Sequence, residues 1–377
     1  MYKQKVISIT NLAPLYRKEL WTKMSQSLGV EFWCDKREIF GIKTIDFIKN
    51  PDIKVRAVRN LYFKSVLIWQ SSVLIPLVKR MNKTDIVLVL GEMYCISNWI
   101  ILLLCKLKSK PTLIWTHGLY GNEHWFKRKI RSFFYRLGTQ VLTYGNRSRE
   151  LLIKEKYDQS KVHTIYNSLC YEEHLRLRKA LSLNKSKTFS FFKNPELPCL
   201  IFIGRLTQVK RLDLLANAFN KLNKDYNLLI IGDGSMKGVL QAQLSEAMNE
   251  KRVYFYGALY DEQKIGALLF NADLCVSPGN IGLTCIHSLS FGTPVCTHNV
   301  LLDQMPEVEA IIPGYNGFLF QPNSSDSIRD GIQSWFDESL DKTLLKSRCY
   351  EVIDLYFNPN NQIRIFNSVF NSILNKT

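Results

Sequence analysis

Short runs of β-branched and apolar residues, each followed by a turn and then a helix-length amphipathic segment, recur along this chain and constrain its fold most. Residues 5–9, 85–90, 112–115 and 140–143 are such runs. The pattern restarts with strand-like runs at 199–203, 227–231, 252–256, 274–277 and 294–297. Helix-like stretches lie between them at 211–222, 236–248, 261–271 and 284–291. Strand alternating with helix predicts parallel sheets covered on both faces. Two such sets in 377 residues predict two doubly wound α/β domains, with ligand at the carboxyl ends of the strands. The expected domains are 1–181 and 182–357, joined through the polar, proline-ended stretch 182–198. Residues 358–377 read as a closing helix that packs back on the first domain.

Charge separates the two halves. The net charge is +17, yet residues 1–170 hold 29 Lys and Arg against 12 Asp and Glu, while residues 171–377 hold 21 of each. A polarised basic half attracts an anionic partner such as phosphorylated substrate, acidic lipid or nucleic acid. No recognisable nucleic-acid module accompanies the charge, which argues against nucleic acid. The nine cysteines are odd in number, lack CxxC spacing and sit mostly in apolar runs. They read as small buried hydrophobes in a reducing compartment. The amino terminus lacks the long apolar region and cleavage site of a signal peptide. The most apolar stretch, 96–107, is too short to span a bilayer and reads as a buried helix. These features predict a cytoplasmic protein whose contact with a membrane is peripheral.

The densest chemistry follows residue 199. In FIGRLTQVK (202–210), a strand ends at Ile203, Gly204 permits close backbone approach, and Arg205 and Lys210 lie at the mouth of the next helix. Two cations at a helix amino terminus suit a diphosphate. In IIGDGSMK (230–237), Gly232 and Gly234 flank Asp233 in a second tight strand-to-helix turn. It is a weak dinucleotide fingerprint, because Lys237 stands where a third glycine belongs. In SPGNIGLTCIH (277–287), a loop through Asn280 and Gly282 leads to a helix expected to start at Thr284. Thr284 or a neighbour is expected to cap it, leaving the amides of Leu283, Thr284 and Cys285 free to face phosphate.

The ordered set of these motifs, closed by FGTPV at 291–295, resembles the nucleotide-binding half of the GT4 glycosyltransferases over about residues 199–320. The resemblance implies a GT-B fold, two Rossmann-like doubly wound domains facing a cleft. It also implies a nucleotide-diphosphate sugar as donor, its diphosphate held by Arg205 and Lys210 and cradled by Gly282, Leu283 and Thr284. Gly204, Gly232, Asp233, Gly234 and Asn280 complete the donor set. The family pattern carries two Glu where this chain has Gly279 and His287. The first normally meets the donor sugar and the second the ribose; His287 can still hydrogen-bond a ribose, while the donor sugar is either unusual or held by Asn280 and main-chain groups.

The first half matches less sharply. A loop after the first strand offers Arg17 to a phosphate of donor or acceptor. WTHGLYGNE (115–123) follows another strand and supplies His117, expected to position the reacting sugar, and Glu123 in the same loop. Residues 165–168 resemble the family's junction between domains. In 124–138, the aromatics are expected to share one broad face flanked by basic residues, which suits an anionic membrane interface as well as a core-packed helix with a solvated basic face. There is no Asp-x-Asp, no HExxH and no Cys/His ligand cluster in the sequence. No metal cofactor is therefore expected, and the leaving charge falls to cations and helix amides.

The resemblance implies hexosyl transfer with retention of configuration, and a polyprenyl-diphosphate-linked glycan acceptor would account for the basic first half. Its setting would be assembly of O-antigen, lipopolysaccharide, capsule or exopolysaccharide on the inner face of a bacterial cytoplasmic membrane. The changed Glu positions keep a second possibility open, a nucleotide-sugar-binding subunit of the same fold without catalysis.

Overall fold

A computed structural model describes residues 5–39, 41–64, 66–183, 188–338 and 341–375. Fifteen strands are formed among them: Val6–Leu12 (β1), Val30–Asp35 (β2), Val55–Ala57 (β3), Asn60–Phe63 (β4), Leu67–Gln70 (β5), Ile86–Leu90 (β6), Thr112–Thr116 (β7), Gln140–Thr143 (β8), Val162–Thr164 (β9), Cys199–Ile203 (β10), Asn227–Ile231 (β11), Val253–Gly257 (β12), Leu274–Ser277 (β13), Val295–His298 (β14) and Gly317–Phe320 (β15). The chain divides into two compact units, 1–170 with 358–377, and 171–357. The division falls before the helix Tyr171–Leu183, which belongs to the second unit. Residues 184–187 of the join expected at 182–198 lie outside the described residues.

The first unit holds a seven-stranded sheet in the order β3-β2-β1-β6-β7-β8-β9, parallel throughout. Alternation along its central strands fills two cores. Val6, Ile86 and Leu88 face one side with Trp21, Phe32, Phe366 and Phe370. Ile7, Ile9, Val87 and Val89 face the other with Trp33, Phe134 and Tyr135. This two-sided burial is what a parallel sheet requires. The last helix, Pro359–Leu374, closes on this unit. Phe366 meets Trp115 edge-on at 5.3 Å, and Gln362 donates to the Tyr166 carbonyl at 3.0 Å while its own carbonyl accepts from Ser168. A small antiparallel hairpin, β4 with β5, lies outside the main sheet.

The second unit holds a six-stranded parallel sheet in the order β12-β11-β10-β13-β14-β15. Within the unit this is the doubly wound order 3-2-1-4-5-6, whose reversal point lies between β10 and β13. The expected single helix over 236–248 is two pieces, Lys237–Gln243 and Ser245–Asn249. β2, β3, β9 and β15, absent from the sequence expectations, complete the sheets.

Candidate functional site

In the first unit, a cavity of about 510 Å³ opens where the strand order reverses, between β1 and β6. Strand ends line it with Asn11, Arg17, Glu92, Trp115, His117 and Tyr144. Arg17 sits on the 3-10 turn Leu15–Arg17 and is only 8% exposed. Its guanidinium lies 4.5 Å from the Trp115 ring, and it donates to the Tyr144 hydroxyl. Its Nε is buried and unbonded, as is Nδ1 of His117. Burial, then Arg17 and Arg131, lower the His117 imidazole from 6.5 to about 4. His117 is therefore neutral at neutral pH and offers a lone pair or an N–H rather than a charge.

Glu123, expected in the acceptor or phosphate loop, spends its carboxylate on that loop and on the next helix. It accepts from the amides of Tyr120 at 3.0 Å and Gly121 at 2.5 Å, and pairs with Arg131 at 2.9 Å. Burial would raise its pKa, but the amides and Arg131 hold it below the usual range. Glu123 braces the loop that carries His117. Arg131 comes from the helix Trp125–Arg136, whose side chains also divide differently from the single apolar face expected. Arg131, Phe134 and Tyr135 are buried together, while Trp125, Phe126 and Phe133 are 61%, 57% and 58% exposed. Spacings of three and four residues put the first set on one face, and 126, 130 and 133 on the opposite one.

In the second unit, the predicted donor residues gather at the carboxyl ends of β10, β11 and β13. The first two strand-end loops are stitched together: Gly204 N–H donates to Ile231, Leu206 N–H to Asp233 and Met236 N–H to Leu206. Gly232 has φ +144°, and a β-carbon there would meet the Gly204 carbonyl oxygen at 1.9 Å, so only glycine fits. Asp233 accepts from Gly234 N–H and Lys237 and is exposed. It serves its own turn.

Arg205 is exposed beside Leu206. Lys210 donates to both the carbonyl and the side-chain oxygen of Asn280, at 2.7 and 3.0 Å. That bond pins the loop after β13 to the loop after β10. Burial, then the nearby charge of Arg205, lower the Lys210 pKa. The helix after β13 runs Leu283–Ser290 and is preceded by Gly282, with no side-chain cap. Thr284 is not the cap expected; its hydroxyl donates instead to the Ile203 carbonyl at 3.2 Å. An uncapped amino terminus leaves N–H groups for an anion.

His287, expected at the ribose, has its Nε2 2.7 Å from Glu262 Oε1, so that nitrogen is already engaged within the unit. Gly279, where the family carries Glu, has no room for a side chain: a β-carbon would lie 2.2 Å from the Val209 carbonyl oxygen. Sequence reasoning missed Trp115, Tyr144 and Arg131 in the first unit, because only the fold brings them to Arg17 and His117. It also missed Gln304, which accepts from Ile281 N–H at 2.7 Å and donates to Thr297, and Glu307, whose carboxylate is buried beside Gly282. Both lie in the run QMPEVEAI (304–311), which is their only signal in the sequence.

Residues 184–350 match the sequence family described as glycosyl transferases group 1. An uncharacterized glycosyltransferase of Methanocaldococcus jannaschii, MJ1607, is 26% identical over 188 residues. That match covers 46% of this chain and 44% of the relative. Among solved structures, Anabaena Alr3699/HepE in complex with UDP is similar with a TM-score of 0.70 at 15% identity, over 98% of this chain and all of that one. The apo lipopolysaccharide outer core galactosyltransferase WaaB gives 0.68 at 16% identity, again over 98% of this chain and all of that one. At such identities these two likenesses concern the fold, which is GT-B.

Proposed function

We propose that this chain, a member of the group 1 glycosyl transferases, moves a sugar from a nucleotide-diphosphate donor to a glycan acceptor. The observation that carries this reading is the loop assembly of the second unit. Arg205, Lys210 tied to Asn280, and the uncapped helix start at Gly282 lie around the reversal point of one parallel sheet. In the transition state, negative charge grows on the leaving diphosphate. Fixed cations and amides stabilise that charge more than they stabilise the bound donor, which is what lowers the barrier. Gly232 and Gly234 let the backbone approach the nucleotide.

The acceptor falls to the first unit. Arg17, buried in an aromatic setting, suits a phosphate or another anionic group of the acceptor. Neutral His117 gives the reacting sugar a hydrogen bond and little drive as a strong base. The exposed Trp125, Phe126 and Phe133, interleaved with Lys127 and Lys129, suit the interface of an anionic membrane, and so a polyprenyl-diphosphate-linked acceptor. Among the described residues, no helix is long and apolar enough to cross a membrane. Bacterial surface-polysaccharide assembly and retention of configuration are part of the same reading.

Release of nucleoside diphosphate from a panel of nucleotide-sugars, with lipid-linked glycan acceptors, tests the assignment. Turnover that Arg205→Ala abolishes is the expected result. Donor binding without turnover, whatever the acceptor, points instead to the non-catalytic subunit that the Glu replacements at 279 and 287 leave open.

A further inference from the structure

Away from the diphosphate loops, the second unit brings together three side chains that lie far apart in sequence. His174 lies in the first turn of the helix Tyr171–Leu183, Glu262 opens the helix Glu262–Asn271, and His287 lies in the last turn of Leu283–Ser290. Both imidazole Nε2 atoms converge on one carboxylate oxygen of Glu262, at 3.0 Å from His174 and 2.7 Å from His287. The three donor atoms all lie within 4.8 Å of one another. The two rings are parallel, 5.3 Å apart and 9° from coplanar orientation, and both rest on Phe291.

The geometry points to a site for one borderline divalent transition ion, of which zinc is the type, held by His174, Glu262 and His287. Two imidazoles and one carboxylate are a recurrent three-ligand set for such ions, with further positions left to water. Hard ions such as magnesium and calcium need six or more oxygens and are poorly served. Ligand lengths of about 2.0–2.2 Å place tetrahedral ligand atoms about 3.3 Å apart. The His–Glu separations of 2.7 and 3.0 Å need a few tenths of an ångström of opening, and the two imidazole nitrogens, within 4.8 Å of each other, close by up to about 1.5 Å to reach the tetrahedral spacing. His174 is 2% exposed, so one ligand is preset by packing. The side chains of Glu262 and His287, at 30% and 15%, keep the site reachable from solvent.

The surrounding charge is compatible with a cation. The neighbouring Arg178 is paired with Asp354 at 2.9 Å. Binding shifts each ring proton from Nε2 to Nδ1, so the lone pairs at Nε2 face the ion and the carboxylate keeps its charge. Nδ1 of His174 is buried without a partner. That ligand therefore lacks the outer acceptor that metal-bound histidines usually have, a lack that weakens affinity about 10- to 100-fold. The ion would clip the helix Tyr171–Leu183 to the two helices that follow β12 and β13, raising the stability of this unit without entering glycosyl transfer.

Full-length protein freed of metal by chelator is titrated with Co²⁺, read by its visible d–d absorption, and then with Zn²⁺ in competition. Saturation at about one equivalent, displacement by Zn²⁺ but not Mg²⁺, and a rise in Tm with Zn²⁺ are expected. His287→Ala and Glu262→Gln should each remove most of the absorption. Circular dichroism of both variants checks that the fold persists. No saturable band in the parent protein, or a band unchanged in both variants, overturns the site. UDP binding by the same metal-free protein reports separately on the glycosyl-transfer reading.

Discussion

Gly279 rests on Lys210. Its amide donates to the Lys210 carbonyl at 3.0 Å, and a β-carbon at Gly279 would come within 2.7 Å of the Lys210 Cα. The residue that departs from the family's Glu is thus the one that lets the loop after β13 lie against the cationic loop after β10. Gly279→Ala should push the loops apart, costing about 1–3 kcal/mol as an overpacking change and weakening nucleotide binding. Thermal melts with and without UDP measure both effects. An unchanged melt would mean that the contact is slack.

His117 makes stability depend on pH with a definite sign. An unfolded chain takes up the imidazole proton near 6.5, whereas the folded chain resists it down to about 4. The contribution is therefore complete above pH 6.5 and is lost as pH falls towards 4, by at most about 3 kcal/mol. His117→Gln should flatten the melting curve across that window. Equal slopes in parent and variant would show that His117 titrates normally.

The Glu123–Arg131 pair is nearly sealed from solvent, at 5% and 8% side-chain exposure. Glu123→Ala leaves a buried guanidinium unpaired and should cost about 3–5 kcal/mol in urea unfolding. Adding Arg131→Met should return part of it, because the stranded charge is then gone. A loss that simply adds in the double variant would exclude that coupling.

The solvent face of the helix Trp125–Arg136 should carry the protein to acidic membranes. Co-sedimentation with anionic vesicles should exceed that with neutral ones and decline with salt. Trp125→Ala with Phe126→Ala should lower the partition at least about tenfold, given the transfer value of buried aromatic surface. Equal binding to both vesicle types would remove the membrane from the account.

How much of this was legible in the sequence follows from how local each feature is. The turns at Gly204, Gly232 and Gly234 are strand-to-helix corners with glycine in positive-φ conformations within a few residues of their own strands. They could be read directly. β2, with Trp33 and Asp35 in a run lacking turn punctuation, and β3, only three residues long, could not. Glu123 and His287 could be singled out in the sequence, but their partners, Arg131 and Glu262, are set by packing and could not. His174 comes 88 residues before Glu262, a distance at which no spacing rule operates.

Calorimetric titration of UDP and GDP into the parent protein and Arg205→Ala asks whether the strand-end loops of the second unit hold a nucleoside diphosphate. Arg205 braces no neighbouring loop through its side chain as Lys210 does, so its removal reports on the ligand. Loss of one charge-assisted contact is worth about 1.5–3 kcal/mol, which predicts binding to the parent and at least a roughly tenfold rise in Kd for the variant. Equal Kd values in the two proteins, or no binding to the parent, would contradict the account.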